Sequence, residues 1–308
     1  MTRLNQPLHR LVLTLALGLV LSACGSNDPG APAPEAGALP ATLRVGLIPN
    51  IAPEEQQAKY GPFGDYLAKE LGVEVELFVA ADYAGVVAAL ASERIDLAYL
   101  GGLTYAQAEQ QADVTPLVTE IDQSTGTPQY ESAIVVKKDS ELKSVADLVA
   151  AGGSFAFGDP ASTSGSLYPR VMLTEAGVEC DTVTLTDCPP LKSVTFTGGH
   201  DATAQAVLSG AVDAGGLELR VLRRLESDGT IPAGALRVIE TTLVQGYPWV
   251  ARTDLGDAAL QQLTDAFLDI TDPELLDLLR ATKYVAVEAA DYDDVRRRGV
   301  ELGLLTDR

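Results

Sequence analysis

Ser162, Thr163 and Ser164 stand in succession before Gly165 in "FGDPASTSGSLYPR". An apolar strand pattern, "SFAF", ends near Phe157, and a helical pattern begins near Ser164 or Gly165. The first turn of a helix leaves backbone N–H groups unpaired, and hydroxyls placed beside them add further donors. With modest attraction from the helix dipole, such a segment makes a cradle for an oxyanion. Three other strand-to-helix junctions have the same polar, glycine-rich character. "YLGGLTYAQA" exposes backbone at Gly101 and Gly102 between Leu100 and Leu103, "ADYAG" carries Tyr83, and "TGGHDATAQAV" carries His200. Singly, each reads equally well as a helix cap, a tight turn or a packed ring. Together they describe a crevice, because the carboxyl ends of strands in open α/β sheets face the ligand site.

Catalysis has little support in these residues. A serine nucleophile needs a positioned base and an orienting carboxylate, and His200 is the sole candidate base in the body of the chain. The nucleophile-elbow pattern G-x-S-x-G is absent, and "STSG" lacks the spacing and lysine of a nucleotide phosphate loop. No histidine- or cysteine-rich constellation suggests a metal, and no cofactor is implied. The chain therefore reads as a binder rather than an enzyme. Its 43 acidic against 22 basic residues give a net charge of −21, without the basic patch that nucleic acid requires. An acidic surface still allows a small anion, because local N–H groups and helix ends can hold one against the overall field.

The elements that must position these residues follow an α/β grammar. "TLRVGLIP", "VEVELFVA" and "IDLAYLG" read as strands. They are separated by a helical stretch with a turn at Gly61-Pro62 and a stop at Gly72, and by a helix capped by Asp82. A second strand–helix set spans roughly 130–245 and includes "YESAIVVKKDS", "SFAFGD", "LKSVTFTGG" and "VDAGGLE". "YPWVARTDL" repeats the character of "AIVVKKDS", so two strands flank the second set and suggest paired crossings between lobes. The tail segments "DAALQQLTDAFLDI" and "PELLDLLRATKYV" read as helices returning to the first lobe. The expected architecture is two α/β lobes, each a mostly parallel sheet flanked by helices, with the ligand between them. Residues 41–129 plus 247–308 form lobe one and 130–246 lobe two; a single undivided domain is the alternative.

Arg3 and Arg10 flank the start of an apolar run, "LVLTLALGLVL", which ends in "LSAC". This reads as an export signal over 1–23, resembling a bacterial lipoprotein signal that leaves Cys24 lipidated. The run is shorter than the ~20 residues a bilayer span needs. Residues 24–40, rich in Gly, Pro and Ala, read as a flexible tether. Outside the cytoplasm, Cys180 and Cys188 are expected to form a local disulfide rather than a metal pair.

Seven landmarks run in order over residues 43–252: "LRVGLIPN", "ADYAGVVAAL", "IDLAYLGGLTYAQA", "YESAIVVKKDSELKSVADL", "FGDPASTSGSLYPR", "TGGHDATAQAV" and "GYPWVART". They resemble the substrate-binding proteins of phosphate, phosphite and phosphonate ABC importers, which have the type II periplasmic-binding fold. That resemblance implies a clamp that closes over a phosphorus oxyanion and presents it to a membrane permease served by a cytoplasmic ATPase. It implies that Ser162, Thr163, Ser164 and His200 contact the anion. It also implies that Tyr83, Tyr130, the Pro49–Asn50 loop and the Leu100, Gly101, Gly102, Leu103 turn line the cleft. Leu100 stands where phosphonate binders often carry a tyrosine, with Tyr99 beside it. Tyr247 stands where aminophosphonate binders can carry an acidic residue, which disfavours an aminoalkylphosphonate. Glu218 is matched to an acidic residue of the second lobe, suited to accept a proton from a protonated ligand oxygen. No arginine is assigned to the cleft, and Arg170 is read as supporting the cradle or facing solvent. The expectation is an extracytoplasmic, membrane-anchored, monomeric binding protein. Other tetrahedral oxyanions such as selenate or sulfate, and a surface-tethered sensor, are the competing functions.

Overall fold

The computed structural model describes residues 38–307; the expected export signal, Cys24 and the expected tether up to residue 37 lie outside the described residues. The chain begins with β1 (Thr42–Leu47), α1 (Pro53–Leu71), β2 (Glu74–Val79), α2 (Tyr83–Ala91), β3 (Leu97–Tyr99), α3 (Gly102–Glu109) and β4 (Val114–Asp122). It continues through β5 (Gln129–Lys137), α4 (Val145–Ala150), β6 (Ser154–Phe157), a π-helical turn (Thr163–Leu167) and α5 (Tyr168–Glu175). β7 (Ser193–Phe196), α6 (His200–Ser209), β8 (Ala214–Glu218), α7 (Leu219–Ser227) and β9 (Leu236–Gln245) follow. The last elements are β10 (Trp249–Arg252), α8 (Asp257–Leu268), α9 (Pro273–Leu278), β11 (Ala281–Ala286) and α10 (Asp293–Glu301).

Two sheets result, ordered β11-β4-β10-β3-β1-β2 and β7-β6-β8-β5-β9. Both are mixed rather than mostly parallel. In the first, β1 runs parallel to β2 and β3, while β10 is antiparallel to β3 and β4 and β11 is antiparallel to β4. In the second, β6 runs parallel to β7 and β8, and β5 is antiparallel to β8 and β9. The chain leaves the first sheet after β4 and returns at β10. The two passages touch where Gly246 N–H donates to Pro128 O at 2.9 Å. A Cβ on Gly246 would lie 2.4 Å from Thr119 Oγ1 and 3.1 Å from Pro128 O, so only glycine fits this close approach.

Burial explains the strands. In β5, Ile134 and Val136 join one apolar cluster with Phe155 and Phe157, while Ala133 and Val135 join another with Leu217 and Leu222. A sheet covered on both faces reads as a near-continuous apolar run, as "AIVV" does. The first sheet is packed with aromatic rings, Phe63, Tyr99, Trp249 and Phe267 lying 4.8–5.5 Å from one another in successive pairs.

Two local expectations are corrected. α1 is continuous across Gly61-Pro62, because Tyr60, Phe63 and Leu67 present one buried face and tertiary packing outweighs the missing proline N–H. "ATKYVA" is the strand β11, not the end of a helix: Arg280 turns to φ 58°, and Ala281 and Tyr284 then face the core. "WVAR" forms β10 in the first sheet, and β5 lies between β8 and β9 in the second. Cys180 and Cys188 are joined by a disulfide. Arg170 is buried against it, donating to Leu185 O at 2.7 Å, with its guanidinium 4.1 Å above the Phe157 ring. Burial lowers the Arg170 pKa to about 10. No helix among the described residues is long and apolar enough to cross a membrane.

Candidate functional site

The hydroxyl triplet sits where the chain between β6 and α5 widens. Ser162 caps the π-helical turn, its Oγ accepting from Gly165 N–H at 3.0 Å, while Leu167 N–H reaches back to Ser162 O at 3.0 Å. Gly165 permits this, since a Cβ there would lie 2.9 Å from Ser162 Oγ and 3.0 Å from His200 Cε1. Ser132 Oγ in β5 pins the turn from behind by donating to Ser164 O at 2.9 Å. His200 opens α6, and its own N–H donates to Asn50 O at 3.2 Å, joining the loop after β1 to the second sheet's layer.

The Glu218 N–H donates to His200 Nδ1 at 3.3 Å. That bond makes Nδ1 the acceptor, so in the neutral ring the proton resides on Nε2. Burial lowers the His200 pKa, opposed in part by Glu218, and the imidazole is a neutral donor at neutral pH. Among the described residues, His200 Nε2 has no hydrogen-bond partner, and it lies 3.8 Å from Glu218 Oε2. The same holds for Ser164 Oγ, Tyr130 Oη and Asn50 Nδ2, all on buried residues. Buried donors are normally paired, so four orphans from residues brought together around one turn describe an acceptor-shaped need. Burial also raises the Tyr83 and Tyr130 pKa values, keeping both phenols protonated as donors near Ser162 and Ser164.

Glu218 is not a free acceptor. Its Oε1 takes Arg220 Nε at 2.7 Å and Arg280 Nη1 at 3.0 Å, and its Oε2 takes Tyr247 Oη at 2.7 Å. Burial opposes its charge, but the two arginines outweigh that cost and hold the carboxyl well below the usual carboxylate range. Arg220 Nη1 also bridges Glu120 at 2.7 Å and Asp122 at 3.0 Å, and its guanidinium stacks 4.4 Å from the Tyr130 ring. Arg220 and Arg280 thus stand directly behind the Glu218 carboxylate. Arg220 was legible as the second residue after Glu218 in "ELR". Arg280 was not, since 62 residues separate it from its partner.

The lobe-one turn contributes backbone. Leu103 N–H donates to Thr163 Oγ1 at 2.9 Å, and Thr104 Oγ1 donates to Ala161 O at 3.0 Å. A Cβ on Gly101 would stand 2.7 Å from Thr163 Oγ1. Thr163 Oγ1 accepts in this contact between the two layers, and its hydroxyl proton remains free to be donated. Gly102 fits under Tyr292 and Val295 of the C-terminal segment. The Leu100 and Leu103 side chains belong to the hydrophobic core, and the aromatic ring reaching the site from this strand is Tyr99, stacked 5.0 Å from Tyr247. Asp159 holds the Tyr83 N–H at 3.3 Å and the Ala161 N–H at 2.7 Å, and burial raises its pKa. Among the described residues, no group of His, Cys, Asp and Glu is arranged to hold a metal ion.

A family profile described as "ABC transporter, phosphonate, periplasmic substrate-binding protein" matches residues 45–294. The chain is 32% identical to the phosphate-import protein PhnD of Mycolicibacterium smegmatis, with 94% of each chain covered. It is 30% identical to a probable ABC transporter phosphite binding protein of Prochlorococcus marinus, covering 85% of this chain and 90% of the relative. The solved structure of Prochlorococcus marinus PhnD1 in complex with methylphosphonate superposes with a TM-score of 0.76 at 29% identity, over 87% of this chain and 100% of that one. A binding-protein component of an ABC phosphonate transporter from Pseudomonas aeruginosa gives 0.75 at 26% identity, over 85% and 86%. With its two mixed sheets, each flanked by helices, and a chain that passes twice between them, this protein has the two-lobe type II periplasmic-binding fold and belongs to the family of periplasmic substrate-binding proteins of phosphonate ABC transporters.

Proposed function

We propose that this protein captures a phosphorus oxyanion, a phosphonate, phosphite or phosphate, outside the cytoplasm and delivers it to an ABC permease driven by a separate ATPase. The observation that carries this reading is the set of four buried, unpartnered donors, Asn50 Nδ2, Tyr130 Oη, Ser164 Oγ and His200 Nε2. Neutral, fixed donors can replace an anion's hydration without a counter-charge, and no reorganisation is needed when the ligand arrives. Tyr83, Ser162, the Gly101–Leu103 backbone, Glu218 and Tyr247 complete the proposed shell.

The capture motion is a closing of lobe one, residues 41–129 plus 247–308, on lobe two, residues 130–246. Ligand shifts the population toward the arrangement in which Thr163 meets Leu103. Cleavage before Cys24, its lipidation and a monomeric state belong to the same proposal.

Calorimetric titration of the full chain, stripped of bound ligand, with methylphosphonate, phosphite, phosphate, 2-aminoethylphosphonate, sulfate and selenate tests it. The expected result is 1:1 binding within the phosphorus series, weakened at least about tenfold by Ser164→Ala or His200→Ala, as loss of one good hydrogen bond in a buried site requires. A response to sulfate or selenate alone would overturn the substrate. Silence toward all six would transfer the reading to a tethered sensor of another ligand.

A further inference from the structure

Behind Glu218, on the far side of the Tyr130 and Tyr247 rings, lies a cavity of about 520 Å³ lined by Lys59, Arg220, Arg223, Arg224 and Arg280, with Asp122 and Asp277 as its acids. One lysine and four arginines line it beside two carboxylates, in a chain of net charge −21, while Glu120, Glu131 and Glu218, which are not on the wall, pair with Arg220, Arg223 and Arg280. Several nitrogens of these side chains are without hydrogen-bond partners among the described residues. Arg220 is buried and its Nη2 has no hydrogen-bond partner, although its other nitrogens are fully engaged. Arg224 Nε and Arg280 Nε are likewise unpartnered, and neither Lys59 nor Arg224 makes an ion pair among the described residues. Asp122 is already taken by Arg220. Arg223 is taken by Glu131 at 3.0 Å. Like charges confined together in a partly desolvated space repel, and an incoming anion relieves that repulsion.

We propose that this cavity is a second anion site, separate from the oxyanion cleft, which takes a free multivalent oxyanion. Its cations come from both layers. Lys59 lies on α1 and Arg280 immediately before β11, against the first sheet; Arg220 and Arg224 lie on α7, against the second. An anion held by all four therefore ties the layers together on the side opposite the hydroxyl triplet. Its volume is within the range of small-ligand sites and exceeds what a single phosphate fills. Occupancy favours the closed arrangement, so it slows release of the ligand in the cleft, and by linkage the cleft ligand tightens the second site by the same factor. That coupling rests on the cleft reading given above; the anion site does not.

The test uses pyrophosphate as the probe. The full chain, saturated with methylphosphonate, is titrated with pyrophosphate by calorimetry, and methylphosphonate release is timed with and without it. One further equivalent of pyrophosphate is expected, weakened about tenfold or more by Arg224→Gln and by Lys59→Met, with methylphosphonate release slowed several-fold in its presence. Arg224 forms no ion pair, so Arg224→Gln should fold normally, and circular dichroism of both variants checks this. Should the chain bind no methylphosphonate, the same titration of the unliganded chain still reads this site alone. No second equivalent, binding indifferent to both substitutions, or simple competition with methylphosphonate would each overturn the proposal.

Discussion

The Tyr130 hydroxyl is buried without a partner, so removing it separates folding from binding. Tyr130→Phe deletes an unsatisfied polar atom from the unliganded protein and one donor from the liganded one. Urea unfolding should show stability unchanged or raised, while methylphosphonate affinity falls about tenfold, the equivalent of roughly 1.4 kcal/mol. A parallel loss of both would mean that the hydroxyl serves the fold. His200 gives a test in pH. Its folded pKa lies below the ordinary 6.5, so as pH drops past that value the unfolded chain binds a proton that the fold refuses, and stability declines. His200→Gln should flatten that decline between pH 7 and 5.5, measured by urea midpoints. Legibility differs sharply among these residues. The hydroxyl triplet, Tyr83 and His200 announce themselves because each stands at a strand-to-helix junction. Arg280 carries no local signal, since its role arises only when β11 is laid beside β4.

At the scale of elements, two substitutions probe how packing and close approach shape the protein. Pro62 is exposed within α1 and offers no N–H to the turn before it. Pro62→Ala restores that donor without disturbing the buried face of Tyr60, Phe63 and Leu67. It should stabilise the protein by about 1–3 kcal/mol, read as a rise in the denaturant midpoint. Gly101→Ala should do the opposite to binding. Its methyl group would meet Thr163 Oγ1, so closure is hindered, and methylphosphonate affinity should fall while the thermal midpoint of the unliganded chain moves little. The strands β1, β3 and β6 could be read from their apolar runs, and β2 from its alternation. β4, β9 and β11 were harder: β4 mixes buried and half-buried residues irregularly, β9 adds exposed ones, and β11 begins at a backbone reversal in the left-handed region. Such patterns are set by partners distant in sequence, and local periodicity does not contain them.

For the whole molecule, the distribution of charge matters more than its sum. Lys59 has its pKa lowered to about 6, chiefly by burial and then by Arg280, Arg224 and Arg220, with Glu218 opposing and Asp122 and Asp277 on the cavity wall. Between about 6 and its ordinary 10.5, the unfolded chain holds a proton that the fold does not, so this lysine destabilises the fold increasingly as pH falls. Lys59→Met should therefore raise the thermal midpoint, and by more at pH 6.5 than at pH 9.5. An anion entering the cavity should drive protonation of Lys59, giving proton uptake that appears as a buffer-dependent heat near pH 7. The two-lobe plan was legible because the ordered landmarks repeat one grammar in each half. The basic cavity was not, because its residues come from four separate stretches between 59 and 280. Finally, the π-helical turn has a consequence for descent. The wide turn spends one residue more than an α-helix would between Ser162 and Leu167, and that residue sets the rotation of the hydroxyl triplet relative to everything downstream. Losing a single codon there would swing α5 by about 100° per residue removed. A lineage could thus abandon its ligand through one in-frame deletion, while every side chain in the cleft remained spelled as before.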